Sequence, residues 1–311
     1  MFSADILLQV LWTSTANASY QVLLAVAFAF VLKVNKIWNF TQPAMMGVAF
    51  YAIYVMVIPM RAPVVLAVAL TLIPVTMLAV GTERYAFETL RRRRSESITF
   101  FIFSLIFAEF VVFLLTLVFT TAPTFMLPVM ISPIRIVGGI VISDWDIQAM
   151  AVMTTTIAAF WLFLTRSRIG QYLIAVSNNP DLAEIYGIDR KRCYELSMLI
   201  AGILVVIATY LAGGKLAFFP EMPMHLMVYA VAATILGGIG NVFAAGLASI
   251  AISVMQQGSV LFIESRWQPL IVFGVLFVSI LFFPNGVRRP AGRISRGPSA
   301  FVAAMNQKAK A

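Results

Sequence analysis

Asn39, Phe40, Thr41 and Gln42 stand together in an otherwise apolar stretch, just before Pro43 and a few residues ahead of Gly47. Two amides and a hydroxyl at such a place can donate and accept hydrogen bonds. They can satisfy carbonyls freed by the missing Pro43 N–H, or they can bind a polar solute. A second break falls at Leu236-Gly237-Gly238-Ile239-Gly240-Asn241, where each glycine would weaken a helix interior by about 1 kcal/mol relative to alanine. Non-helical backbone at membrane depth is tolerated only when it is buried in protein or lines a cavity. Gly/Pro-interrupted apolar segments in corresponding halves of a chain mark a solute path. Asn39, Phe40, Thr41, Gln42, Gly237, Gly238, Gly240 and Asn241 are therefore candidate path residues. The competing reading of the glycine stretch is that Gly240, Ala245 and Gly246 only allow helices to pack closely. Glu109, at the centre of LIFAEFVVFLL, is a further candidate. An intramembrane carboxylate is expected to face the bundle interior, either hydrogen-bonded across helices or, in the sharper reading, serving solute or proton movement.

Covalent chemistry finds no support. The sequence has no GxxxxGK[ST] phosphate loop, HExxH or GxSxG, and no pair of acids on one apolar helix face. Cys193 is the one cysteine, which excludes an internal disulfide and a thiolate metal cluster. His225, the one histidine, lies in a PEMPMH turn and reads as a surface residue, and the scattered methionines read as packing residues.

The elements that must position these groups are membrane helices. The 311-residue chain is 61% apolar and 11% charged, against roughly 25% charged in a soluble domain. Apolar runs of about 18 or more residues recur, long enough to cross a hydrocarbon layer of about 30 Å. The expected fold class is an all-α polytopic membrane protein. Its spans are placed at 10–32, 39–59, 62–81, 97–120, 148–165, 196–213 and 267–284, with a broken or re-entrant pair over 226–258. A β-barrel is excluded, because its strands would alternate over about ten residues. The amino-terminal MFSADILLQV has no basic region ahead of an apolar one, so no cleaved signal peptide is expected. Residues 1–286 read as one transmembrane domain, with a polar loop at 166–195, the longest loop of the other side at 121–147, and a basic tail at 287–311. With alternating spans, 18 of the 22 basic residues fall on the side of the 166–195 loop. The positive-inside rule makes that side cytoplasmic, puts the N-terminus outside and the C-terminus inside, and requires 226–258 to enter and leave from one side. The net charge of +9 then concerns orientation, not nucleic acid. Arg91 to Arg94, within a loop at 83–96, read as a stop-transfer and lipid-headgroup anchor, or as a contact for an anionic lipid or a partner.

The polar interlude 165–195 contains its own helix signature. Asn178 or Asn179 can cap it and Pro180 suits its first turn. Asp181 and Glu184 complement the positive end of the dipole, and Gly187 can close it in the left-handed region. Leu182, Ile185 and Tyr186 share one face. A helix of about two turns is unstable alone, so this face is expected to pack on another protein.

SRIGQYLIAVSNNPDLAEIYGIDRKR, LGGIGNVFAAGLASI, LFVSILFFPNGVRRP and the early ASYQVLLAVAFAFVLKVNKIWNFTQPAMMG together resemble the permease of branched-chain amino-acid-type ABC importers, in the shorter of that family's two permease types. The resemblance implies a multi-pass subunit of a prokaryotic inner or plasma membrane. It implies four kinds of neighbour: a second permease, two cytoplasmic ATPases that hold the ATP and Mg, an external solute-binding protein, and membrane lipids. It also implies that 179–188 is the coupling helix seated in an ATPase cleft, carried by Asn179, Pro180, Asp181, Leu182, Glu184, Ile185, Tyr186 and Gly187. Where the family usually has Ala-His-Gly after Asn39-Phe40, this chain has Thr41-Gln42-Pro43, an amide in place of an imidazole. The solute could then be an amino acid, an amide, urea or an aromatic acid. An ion-coupled secondary transporter or channel using Glu109 is the alternative, and a membrane-embedded enzyme a more distant one.

Overall fold

The computed structural model describes residues 4–126, 133–262, 264 and 267–282. Its helices in chain order are α1 (Ala4–Asn35), α2 (Gln42–Val57), α3 (Val64–Gly81), α4 (Glu88–Arg92), α5 (Ser97–Phe119), α6 (Asp144–Arg166), α7 (Arg168–Asn178), α8 (Pro180–Ile185), α9 (Arg190–Gly213), α10 (Met222–Gly237), α11 (Val242–Ser259) and α12 (Gln268–Phe282). A π-helical turn, Thr82–Phe87, joins α3 to α4. Strands β1 (Ile134–Val137) and β2 (Ile140–Ser143) form an antiparallel hairpin with Ile134 opposite Ser143. Among the described residues, six helices are long and apolar enough to cross a membrane, and α2, α10 and part of α12 form shorter apolar helices. The polytopic helical architecture expected from the sequence is the one observed.

α1 is the axis of the bundle. Its residues from Ala16 to Leu32 are buried on nearly every side, Asn17 being half-buried, as befits a helix apolar all round. It packs on α11, α9, α10 and α6. Small residues set the approach to α11: Ala245 is buried, and a Cβ on Gly246 would come within 3.2 Å of Val26. The close-packing role considered for these two residues is thus observed. Polar groups on α1 find partners across the interface. Gln21 donates to Gln256 at 3.2 Å, and Ser253 donates to the Ser14 carbonyl at 2.7 Å.

At the end of the bundle holding the hairpin, Gln9 of α1 bonds both the N–H and the C=O of Val141. There Lys215 meets Asp146 at 2.5 Å and donates to Asn17 at 3.1 Å, joining α1, α6 and the segment after α9. At the opposite end, the expected loop 83–96 is corrected. The third helix does not stop at Gly81 but runs on through the π turn to Arg92. Gly81 has open space around it and helical φ and ψ, so nothing there terminates a helix. The positions proposed for 287–311 lie outside the described residues.

Candidate functional site

The first polar break is an unwound segment that enters the bundle. Between α1 and α2, Phe40 N–H donates to the Ser104 hydroxyl at 3.0 Å. Ser104 stands seven residues inside α5, about 10 Å along its axis at 1.5 Å per residue. Asn39 organises the turn. Its Oδ1 accepts from the Thr41 N–H at 3.0 Å and the Thr41 hydroxyl at 2.7 Å, and its Nδ2 reaches the Met198 sulfur at 3.2 Å. The Phe40 ring packs edge-on against Phe28 and Phe101. Pro43 falls in the first turn of α2, where its missing N–H frees no carbonyl; the polar trio is therefore not needed to repair a kink. Gln42 is fully buried, and neither atom of its amide has a hydrogen-bond partner. A buried amide in that condition costs about 1–3 kcal/mol, so Gln42 is the residue here with unused recognition capacity.

The glycine break is a tight turn between α10 and α11. Gly238 and Gly240 both take φ of 97°, a region open to glycine and strained for other residues. Asn241 caps α11 by accepting from Ala244 N–H at 3.2 Å. A Cβ on Gly237 would lie 2.5 Å from the Ala244 carbonyl carbon and the Ala245 nitrogen. Those are backbone atoms that cannot yield by changing rotamer. Gly237→Ala is expected to lower stability by about 1–3 kcal/mol, read as an earlier thermal transition of the detergent-purified protein. Asn241 lines a small cavity of about 100 Å³ with Lys33, Thr165, Leu173 and Ser177. The neighbours of 39–42 are a different set, so the structure gives the two breaks separate surroundings.

Glu109 does not face the interior, contrary to expectation. The inward side of α5 carries Phe100, Ser104, Ala108, Val111 and Val112. Glu109, one residue past Ala108 and about 100° round the helix, is exposed beside Ile106, Phe110 and Phe113.

The short capped helix expected at 179–187 forms as its residues dictate. Asn179, and not Asn178, is the cap, accepting from Leu182 N–H at 3.0 Å. Gly187 takes φ of 81°, and its N–H and that of Ile188 bond the carbonyls of Glu184 and Ala183. Ala183 faces inward, while Leu182 (49% exposed), Ile185 (81%) and Tyr186 (78%) face out. Arg190 at the start of α9 holds Asp181 at 3.3 Å and Glu184 at 3.6 Å.

Sequence reasoning missed α7 and an ionic cluster. Gly170, Leu173, Val176 and Ser177 form one buried stripe on α7; that spacing was readable, but the charged flanks drew the segment into a loop. The cluster centres on Glu83. Its carboxylate is ion-paired with Arg91 and accepts from Asn35 Nδ2 at 3.0 Å. The Asn35 Oδ1 in turn accepts from the Ser197 hydroxyl. Arg91 also lies over the Tyr194 ring, 4.1 Å from its centroid. Arg91 is therefore turned into the protein and is not a headgroup anchor; Arg93 and Arg94 are exposed. The pairing could be read only by knowing that the helix continues past Gly81.

An axial helix wrapped by apolar helices, with an unwound polar segment entering the bundle, defines a polytopic membrane protein of the permease class. The chain matches the family described as branched-chain amino acid transport system / permease component over residues 10–281, and it belongs to that family. It is similar to the high-affinity branched-chain amino acid transport system permease protein BraD of Pseudomonas aeruginosa, 26% identical over 151 residues, 48% of this chain and 49% of that one. It is also similar to the nucleoside ABC transporter permease protein NupB of Lactococcus lactis subsp. cremoris, 33% identical over 140 residues, 43% of this chain and 36% of that one. The chain's matches thus span about half, or less, of the length of these curated relatives. Among solved structures, a chain of PsaBC from Streptococcus pneumoniae, in complex with Fab, aligns with a TM-score of 0.51 at 14% identity, covering 88% of this chain and 91% of that one. That likeness concerns the fold.

Proposed function

We propose that this chain is the permease subunit of an ATP-driven importer for amino acids or related small polar solutes. It pairs with a second permease, receives its solute from an external binding protein, and draws its energy from two cytoplasmic ATPases, which hold the ATP and Mg. The end of the bundle bearing α8 and Arg91 to Arg94 is cytoplasmic, and the hairpin end, with the N-terminus of α1, is external.

The observation that carries this reading is α8. A rigidly capped helix of six residues, tied down by Ala183 and Arg190, leaves Leu182, Ile185 and Tyr186 uncovered. A patch with two aliphatic residues and one aromatic at helical spacing fits a hydrophobic cleft. The relatives support the solute class, since BraD is named for branched-chain amino acids and NupB for nucleosides. On the solute side, the path runs by the Asn39–Gln42 segment, where the free amide of Gln42 can both donate to and accept from a polar solute. The turn at Gly237, Gly238, Gly240 and Asn241 lets α10 and α11 move as a pair. Glu109, exposed on α5 beside Ile106, Phe110 and Phe113, is not a path residue in this reading.

The test is purification of the tagged chain from its native membrane, followed by reconstitution of what co-purifies. ATPase subunits are expected in the complex, with uptake that requires internal ATP and external binding protein. Uptake driven by an ion gradient with no ATPase present would replace this reading with that of a secondary transporter. Within a working complex, Gln42→Leu is expected to weaken apparent solute affinity about 5- to 30-fold, the loss of one or two hydrogen bonds at roughly 1 kcal/mol each, as measured by the concentration dependence of uptake.

A further inference from the structure

The buried carboxylate of Glu83 is not explained by membrane anchoring, by the solute path or by the docking face of α8. It sits in the π turn Thr82–Phe87, a rare backbone form that recurs at functional positions. Its contacts gather four elements at one point. Asn35 is the last residue of α1, Arg91 belongs to α4, and Ser197 and Tyr194 belong to α9. Further ion pairs run parallel to it. Lys191 of α9 meets Glu88 at 2.9 Å, Arg92 meets the same carboxylate at 3.1 Å, and Arg84 stands 4.0 Å from Glu195. These groups line a cavity of about 300 Å³ at the foot of α9.

The arrangement has direction. On one side, Arg190 ties the start of α9 to Asp181 and Glu184 on α8. On the other, Asn35 begins the connection that leads within four residues to Asn39, and Asn39 bonds Met198, the neighbour of Ser197. A displacement of α8 therefore reaches the inner end of the unwound segment along α9, directly through Ser197 and Met198 and, beside them, through the Arg91–Glu83 pair that fixes Asn35. Buried ionic groups of this kind resist partial rearrangement, because removing one partner strands the other without water. They favour two discrete packings over a continuum.

We propose that Glu83 is a positioning residue for transport. Paired with Arg91 and bonded to Asn35, it transmits the movement of α8 to the Asn39–Gln42 segment and keeps that segment closed until α8 moves. The proposal rests on the reading of α8 as the ATPase contact.

The experiment compares wild-type, Glu83→Gln, Arg91→Gln, Arg91→Lys and the double variant E83Q/R91Q. Each is reconstituted as the complete complex, and the readout is solute moved per ATP hydrolysed by assembled complexes. Glu83→Gln keeps the volume and a hydrogen bond to Asn35 but removes the charge facing Arg91. It is expected to lower the ratio about tenfold or more. Arg91→Gln should do the same, Arg91→Lys should retain part of the coupling, and the double variant, which leaves no stranded charge, should assemble well yet remain uncoupled. If a structural role were the whole of it, uptake and hydrolysis would fall together and the ratio would stay at the wild-type value in Glu83→Gln or in E83Q/R91Q. That result overturns the proposal. Should Glu83→Gln fail to assemble, the ratio in the double variant decides by the same criterion. Wild-type uptake that needs no ATP would instead remove the underlying reading of α8, and is distinguishable because it appears before any substitution is made.

Discussion

Replacing Leu182 and Ile185 with aspartate is expected to abolish ATP-dependent uptake while leaving the permease folded. Ile185 is largely exposed and Leu182 about half exposed, so the substitutions remove little internal packing, and exposed changes of this kind usually shift stability by no more than about 0.5 kcal/mol. The effect on docking is far larger. Apolar anchors at the centre of an interface contribute about 2 kcal/mol or more each, and a carboxylate pushed into an apolar cleft adds a desolvation penalty. The double variant should weaken ATPase association by a factor of about 1,000 or more. Co-purification from membranes and uptake by vesicles measure it, with the thermal transition of the isolated permease as the control. Normal assembly and normal uptake would show that α8 is not the lever.

The second large effect is expected at the hairpin end. Lys215 and Asp146 form a close ion pair with side chains only 18% and 11% exposed, and Asn17 of α1 takes a further hydrogen bond from the lysine. Asp146→Asn strands the ammonium in a poorly hydrated place, where breaking one member of a buried pair costs about 3–5 kcal/mol. Asp146→Asn combined with Lys215→Met should recover most of that loss, since no charge is then left without a counter-ion. Thermal unfolding of the two variants in the same detergent separates the outcomes. Equal loss in both would mean that packing, with the Trp145 ring lying directly against Gly214, and not charge, dominates here.

Local chemistry made some parts of this fold legible and global arrangement hid others. The cap at Asn179, the first-turn proline and the left-handed Gly187 are decided within a few residues of chain, and they appear as expected. Helix positions followed from apolar run length for the same reason. Glu109 was misplaced because run composition does not say which side of a helix faces inward; on α5 that is set by Ser104 and Ala108 meeting the segment before α2 and the helix itself. Glu83 was overlooked because its partners lie on α1, α4 and α9, at sequence separations of 48 to Asn35 and 8 to Arg91. No window of sequence holds all of them. Likewise, Gln42 was noticed for its polarity, but only the structure shows that its amide is shut away without a partner.

The central place of α1 bears on how the molecule is made. The flanks of α1 are covered by α9, α10 and α11, which follow it in the chain and are synthesised after it. Until they arrive, Gln21 and the Ser14 carbonyl have neither Gln256 nor Ser253 to meet. Biogenesis must therefore keep a half-dressed helix soluble in lipid or shielded by insertion machinery until those three helices follow, and the native knot of contacts closes only when they thread around it.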